Sequence, residues 1–84
     1  MPVFDTPIHV NDLNWSKILQ QKQPVLLYLF DQPYPELDKR LQQLAEQNAG
    51  ELLITRLNTK ENPKTYERYD RPVLPALITL KSGN

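Results

Sequence analysis

Apolar positions along this chain fall into two patterns. Short apolar-rich runs stand at 25–30 (VLLYLF), 52–57 (LLITRL) and 76–81 (ALITLK). Their length suits strands, and a run apolar at every position, like the first, suits a strand covered on both faces. Between the first two runs, residues 36–48 place Leu37, Leu41, Leu44 and Ala45 at i, i+4, i+7 and i+8 among Lys, Arg, Gln and Glu. That spacing predicts an amphipathic helix with Leu41 and Leu44 toward a sheet and Lys39, Gln42 and Gln43 toward solvent. Gly50 is placed to end it, since glycine readily takes the left-handed conformation found just past helix ends.

The remaining elements are shorter. Residues 7–10 read as extended. Asn11 and Asp12 are N-cap residue types for a short helix carrying Trp15, Ile18 and Leu19 at i, i+3, i+4, which Pro24 closes. Asn62-Pro63 opens a further short helix, with a capping residue followed by proline at the first helical position, and this helix ends near 69–70. The predicted order is β-α-β-α-β-α-β, an α/β arrangement with right-handed crossovers. With no repeat, linker or low-complexity stretch, residues 1–84 read as one domain.

Composition then narrows the chemistry. None of the 84 residues is cysteine, which excludes disulfides, thiolate metal sites and a cysteine nucleophile within them. Ten acidic and ten basic residues balance, so the clustered positive charge that nucleic-acid phosphates demand is missing. No apolar run has membrane-spanning length, and no stretch reads as a signal peptide, so the expected compartment is the cytoplasm. His9 has no His or paired carboxylate at ligand spacing and reads as a solvated or core histidine; no metal or other cofactor is expected. Trp15 on its apolar stripe reads as core, Tyr66 and Tyr69 as packing groups, and Asn14-Trp15-Ser16 as a chance glycosylation sequon. Glu36 and Asp38 read as first-turn acids favoured by the helix dipole.

Four stretches carry a resemblance to a known family. "QPVLLYLF" is similar to the central strand of thioredoxins, before their active site. "LITRLNTKENPKTYERYDRPVLPALITLKSG" resembles their third strand, third helix and fourth strand without a gap, with "LNTKENP" and "RYDRPVLPALITLKSG" its most specific pieces. "PIHVNDLNWSKIL" resembles the first strand and helix more loosely. The resemblance covers nearly the whole chain. It implies a thioredoxin-like α/β fold, a central mixed sheet with helices on both faces, and Pro75 at the family's cis-proline position.

The departures from the family pattern bear on function. "DQPYPELDK" stands, shortened, where thioredoxins carry Trp-Cys-Gly-Pro-Cys, and Tyr28 replaces the buried acidic residue of the central strand. Thiol–disulfide exchange needs a thiolate, which these residues lack, so no catalytic residue is expected. The resemblance implies a redox-inactive module that binds or scaffolds a protein partner of unknown identity. The groove implied for an extended peptide comprises Gln32, Pro33, Tyr34 and Pro35 with Val73, Leu74 and Pro75. Two alternatives stand beside it: an assembly domain working as a homo-oligomer or within a larger chain, and an N-terminal piece like that of glutathione transferases. The second lacks both a helical domain and the Glu-Ser or Gln-Ser pair usual after the fourth strand.

The last stretch, "ALITLKSGN", reads as a strand followed by a turn. Thioredoxins continue there into a fifth strand and a fourth helix, so the resemblance implies a fold truncated before both. The expectation is a piece of a longer protein or an obligate partner-binder. Its contact edge would be Ala76, Leu77, Ile78, Thr79, Leu80 and Lys81, with a symmetric homodimer as the form in isolation.

Overall fold

The computed structural model describes residues 7–20 and 23–80. Four strands and three helices alternate: β1 (Ile8–His9), α1 (Trp15–Ile18), β2 (Val25–Phe30), α2 (Pro35–Gln47), β3 (Leu53–Asn58), α3 (Pro63–Arg68) and β4 (Ala76–Leu80). They build one open mixed sheet in the order β1-β3-β2-β4. β3 runs parallel to both β1 and β2, whereas β4 runs antiparallel to β2. Every residue of β2 is buried, because β2 lies inside the sheet and is covered on both faces, as its unbroken apolar run requires. Lys81 and the Ser-Gly-Asn turn lie outside the described residues.

The period-two alternation of strand side chains divides the core in two. Val25, Leu27 and Leu29 of β2 join Val10, Trp15, Leu53 and Leu57, with Ile18, Tyr66, Tyr69 and the inward residues of β4 around them. Leu26, Tyr28 and Phe30 point to the opposite face and pack with Ile54 and with Leu41 and Ala45 of α2. α1 and α3 therefore serve one face and α2 the other. The chain reverses direction across the sheet between its first two crossovers, moving outward from β1 to β2 and back from β2 to β3, and this puts α1 and α2 on opposite sides.

Leu44 does not face the sheet. The buried line of α2 runs through Leu41 and Ala45, with Leu37 half-buried, while Leu44 is 38% exposed. At 3.6 residues per turn, Leu44 lies about 60° around the helix from Leu41. Asp38 lies the same angle to the other side and meets Arg56 of β3, so Leu44 is on the flank away from β3. Gln42 is half-buried, in contrast to the expected solvent-facing position, while Lys39 and Gln43 are exposed. Gly50, at φ 85°, sits in the turn beyond α2, as expected.

Asn11 and Asp12 do not cap α1 from its N-cap position, which belongs to Asn14. Asn11 Oδ1 accepts from the backbone N–H groups of Leu13 (2.9 Å) and Asn14 (2.8 Å), closing an Asx turn. Asp12 instead reaches across the molecule to α3. Its Oδ1 accepts from Thr65 N–H at 2.8 Å and from the Thr65 hydroxyl at 2.6 Å, and its Oδ2 from Lys64 N–H at 3.3 Å. Asn62, the N-cap of α3, makes no capping bond of its own; its Oδ1 accepts from Asp12 N–H at 3.0 Å. The two loops thus cap each other, satisfying N–H groups that a short helix leaves free.

The other end of α3 is closed by a Schellman motif, with Arg71 N–H donating to Tyr66 O and Asp70 N–H to Glu67 O. Asp70 (φ 63°) and Arg71 (φ 46°) take left-handed conformations where glycine is usual. The Tyr66 hydroxyl donates to Pro72 O at 2.8 Å and an Arg71–Glu67 ion pair spans the turn. Trp15, 2% exposed, donates its indole N–H to the Tyr69 hydroxyl at 3.0 Å, so both tyrosines pack and hydrogen-bond at once.

Candidate functional site

The loops of interest gather at one end of the sheet. β2 leaves the sheet after Phe30 and β4 enters it at Ala76, which stands opposite Leu29 in an antiparallel pair. The segment after β2, containing Gln32, Pro33, Tyr34 and Pro35, therefore emerges at the same end as Val73, Leu74 and Pro75. The turn after β3 joins them, since β3 runs parallel to β2. This is the carboxyl end of the parallel strands, beside the point where chain direction reverses, the usual place for ligands in open α/β sheets.

The segment after β2 is held locally. The Tyr34 hydroxyl donates to Asp31 Oδ1 at 2.9 Å, folding the ring back beside the end of β2. Desolvation first, then the Asp31 hydrogen bond and charge, push its phenol pKa upward. Pro35 occupies the first turn of α2, where a missing N–H costs nothing. A shallow depression is lined by Pro33, Tyr34, Pro35, Glu36, Leu37 and Arg40. It takes in three of the four segment residues and none of Val73, Leu74 or Pro75. Leu74 packs against the core on the α1 and α3 side, whereas Val73 is 90% exposed. The Leu74–Pro75 peptide bond is cis. Arg40 was not singled out in the sequence, and Glu36 and Leu37 were read there only as a first-turn acid and as part of the apolar stripe of the helix.

Behind this segment, on the α2 face, lies a polar group that the sequence did not reveal. Tyr28 stands beside Arg56 in the β2–β3 register. The Arg56 guanidinium lies 4.9 Å from the Phe30 ring centroid and 6.0 Å from that of Tyr28, and the two rings stack at 5.2 Å. Arg56 Nη2 approaches Asp38 Oδ1 at 3.7 Å, an ion pair without a hydrogen bond. Desolvation first, then the charge and proximity of Asp38, push the Tyr28 phenol up to about 12. Even so, its hydroxyl makes no hydrogen bond of acceptable geometry with any described residue. Asp38 thus serves tertiary structure as well as the helix dipole.

Among the described residues, no three or more metal-ligating side chains gather, and no helix is long and apolar enough to cross a membrane. His9 is exposed on β1.

No family model matches the sequence. A thioredoxin from Alicyclobacillus acidocaldarius subsp. acidocaldarius is 29% identical over 77 residues, covering 88% of this chain and 73% of that protein. The homology is weak, but it extends over most of this chain. The chain fits a thioredoxin-like family. The four-stranded open sheet with three helices among the described residues is compatible with a thioredoxin-like fold. No cysteine occurs in the 84 residues, so a relative named for thiol chemistry is matched here by a stretch without a thiol.

Proposed function

We propose that this chain is a thioredoxin-like protein-interaction module without thiol–disulfide exchange activity. The observation that supports it most is the pairing of a thioredoxin relative with a sequence free of cysteine. Disulfide exchange proceeds by attack of a thiolate on sulfur, and no other side chain substitutes for it. What the architecture retains is a loop surface at the carboxyl end of the parallel strands. Tyr34 supplies an aromatic face there and Val73 a fully accessible apolar side chain. In this reading Gln32, Pro33, Tyr34 and Pro35 with Val73, Leu74 and Pro75 contact an extended segment of a protein partner.

Two measurements test it. In a dithiothreitol-driven insulin-reduction assay the protein is expected to leave the rate at its protein-free value; acceleration overturns the non-catalytic half. Chemical-shift mapping with an unfolded, alkylated protein is expected to perturb residues 31–36 and 71–76; perturbations elsewhere overturn the binding half.

A second reading, assembly through β4, is favoured by one observation. Among the described residues β4 is an edge strand with no charged side chain or proline inside it, lacking the usual guards against strand pairing. Leu77, 49% exposed, shares the α2 face with the exposed Leu44. A symmetric dimer through Ala76–Leu80 would sediment as such at micromolar concentration, and a monomer there overturns it.

A further inference from the structure

Three buried polar atoms converge between β2, β3 and α2 without a hydrogen-bond partner among the described residues: the Tyr28 hydroxyl, Asp38 Oδ1 and Arg56 Nε. Tyr28 is 1% exposed, and the side chains of Arg56 and Asp38 keep 26% and 29% of their surface. Buried polar groups are nearly always paired, because an unpaired one forfeits its hydration without compensation. Three such atoms in one place, from three different elements, share one explanation more readily than three separate ones.

Their chemistry is complementary to a single small molecule. Arg56 Nε is a donor, Asp38 Oδ1 an acceptor, and the Tyr28 hydroxyl can be either. The Arg56–Asp38 ion pair leaves Arg56 Nε unsatisfied. The Arg56–Asp38 approach uses Nη2 and still stands at 3.7 Å, while the centre of the guanidinium lies 4.9 Å from the Phe30 ring centroid. We propose that Tyr28, Asp38 and Arg56 form a built hydration site that holds one water molecule between the sheet and α2. The water accepts from Arg56 Nε–H and from the Tyr28 hydroxyl and donates to Asp38 Oδ1. Three partners is the usual number for a buried water, and a wholly polar set of ligands is what keeps one in place. The water fixes the guanidinium beside Phe30 and holds Asp38 of α2 to β3. This inference stands independently of the partner-binding reading.

A crystal structure at high resolution is expected to show an ordered solvent molecule within about 3.2 Å of all three atoms. Direct hydrogen bonds among the three side chains with no solvent between them overturn the proposal. Urea unfolding of Tyr28→Phe gives a second, independent readout, since the change is nearly isosteric. If the hydroxyl binds water, its loss lowers the folding equilibrium constant about 3- to 10-fold. If the hydroxyl is an orphan, removing it raises the constant, and that result overturns the proposal as well.

Discussion

Replacing Asp12 by alanine should unlatch α3 from the loop after β1. The carboxylate accepts from two backbone N–H groups in the first turn of α3 and from the Thr65 hydroxyl. Removing a capping side chain costs about 1 kcal/mol. Thr65 is 4% exposed, so its hydroxyl would also be left without its acceptor, adding about 1 kcal/mol. The expected loss at neutral pH is about 2 kcal/mol, a large share of the stability of so small a domain. With a urea m-value of about 1 kcal/mol/M, the midpoint should fall by about 2 M. Thr65→Val keeps the backbone part of the cap and should cost about half as much. The double variant should cost less than the sum, because both changes break the same bond.

The pH dependence carries a sign that a mere packing effect would not. Desolvation raises the Asp12 pKa, but the Thr65 hydroxyl, the Thr65 and Lys64 backbone donors and the Lys64 charge outweigh it, so the folded value lies below the ordinary 3.8. Near pH 3.8 the unfolded chain binds more protons at this position than the folded one. The stabilisation is therefore complete above that pH and is lost as pH falls through the lower, folded value. The cost of Asp12→Ala should be full at pH 7 and shrink steadily below pH 3.8. A midpoint equal to wild type at pH 7, or a cost that persists unchanged to about pH 2, would refute the reasoning.

Other outcomes follow from the same geometry. Leu41→Ala should cost about 2–4 kcal/mol and Leu44→Ala well under 1 kcal/mol by chemical denaturation, since Leu41 is buried and Leu44 is not; equal costs would put the helix face in error. Asp70→Gly should be neutral or stabilising by up to about 1 kcal/mol, because glycine takes φ 63° without the penalty a side chain brings. A loss in thermal midpoint would contradict it. Absorbance titration should show one tyrosine ionising near pH 12. Stability should decline as pH rises from 10 through that value, because the folded state holds the Tyr28 proton longer; the absence of any phenol ionisation near pH 12 in folded protein would count against this.

Much of the fold was legible because it is local. The run VLLYLF required cover on both faces and has it, and the 37, 41, 45 spacing required a helix with one buried line. Asn62-Pro63 marked the start of α3 at the right residue. Gln32 to Tyr34 form a loop, as their composition suggested, whereas Pro35 opens α2 rather than belonging to that loop. The loop's placement at the same sheet end as Val73 to Pro75 depended on the pairing of β2 with β4.

What tertiary structure alone decided is what depends on partners distant in sequence. Leu44 sat within the apolar pattern of α2, and only the helix's lie over β2 and β3 determined that it would stay exposed. Asp12 was a capping residue by type, but its helix proved to be the one more than fifty residues away, because β1 and β3 are neighbours and deliver both loops to one edge. Asp38 looked like a dipole-favoured acid, and Arg56 like an ordinary strand residue. Strand register set Arg56 beside Tyr28, and helix packing set Asp38 above them. Periodicity records which side of an element is buried; which polar groups meet there is fixed by how the elements cross.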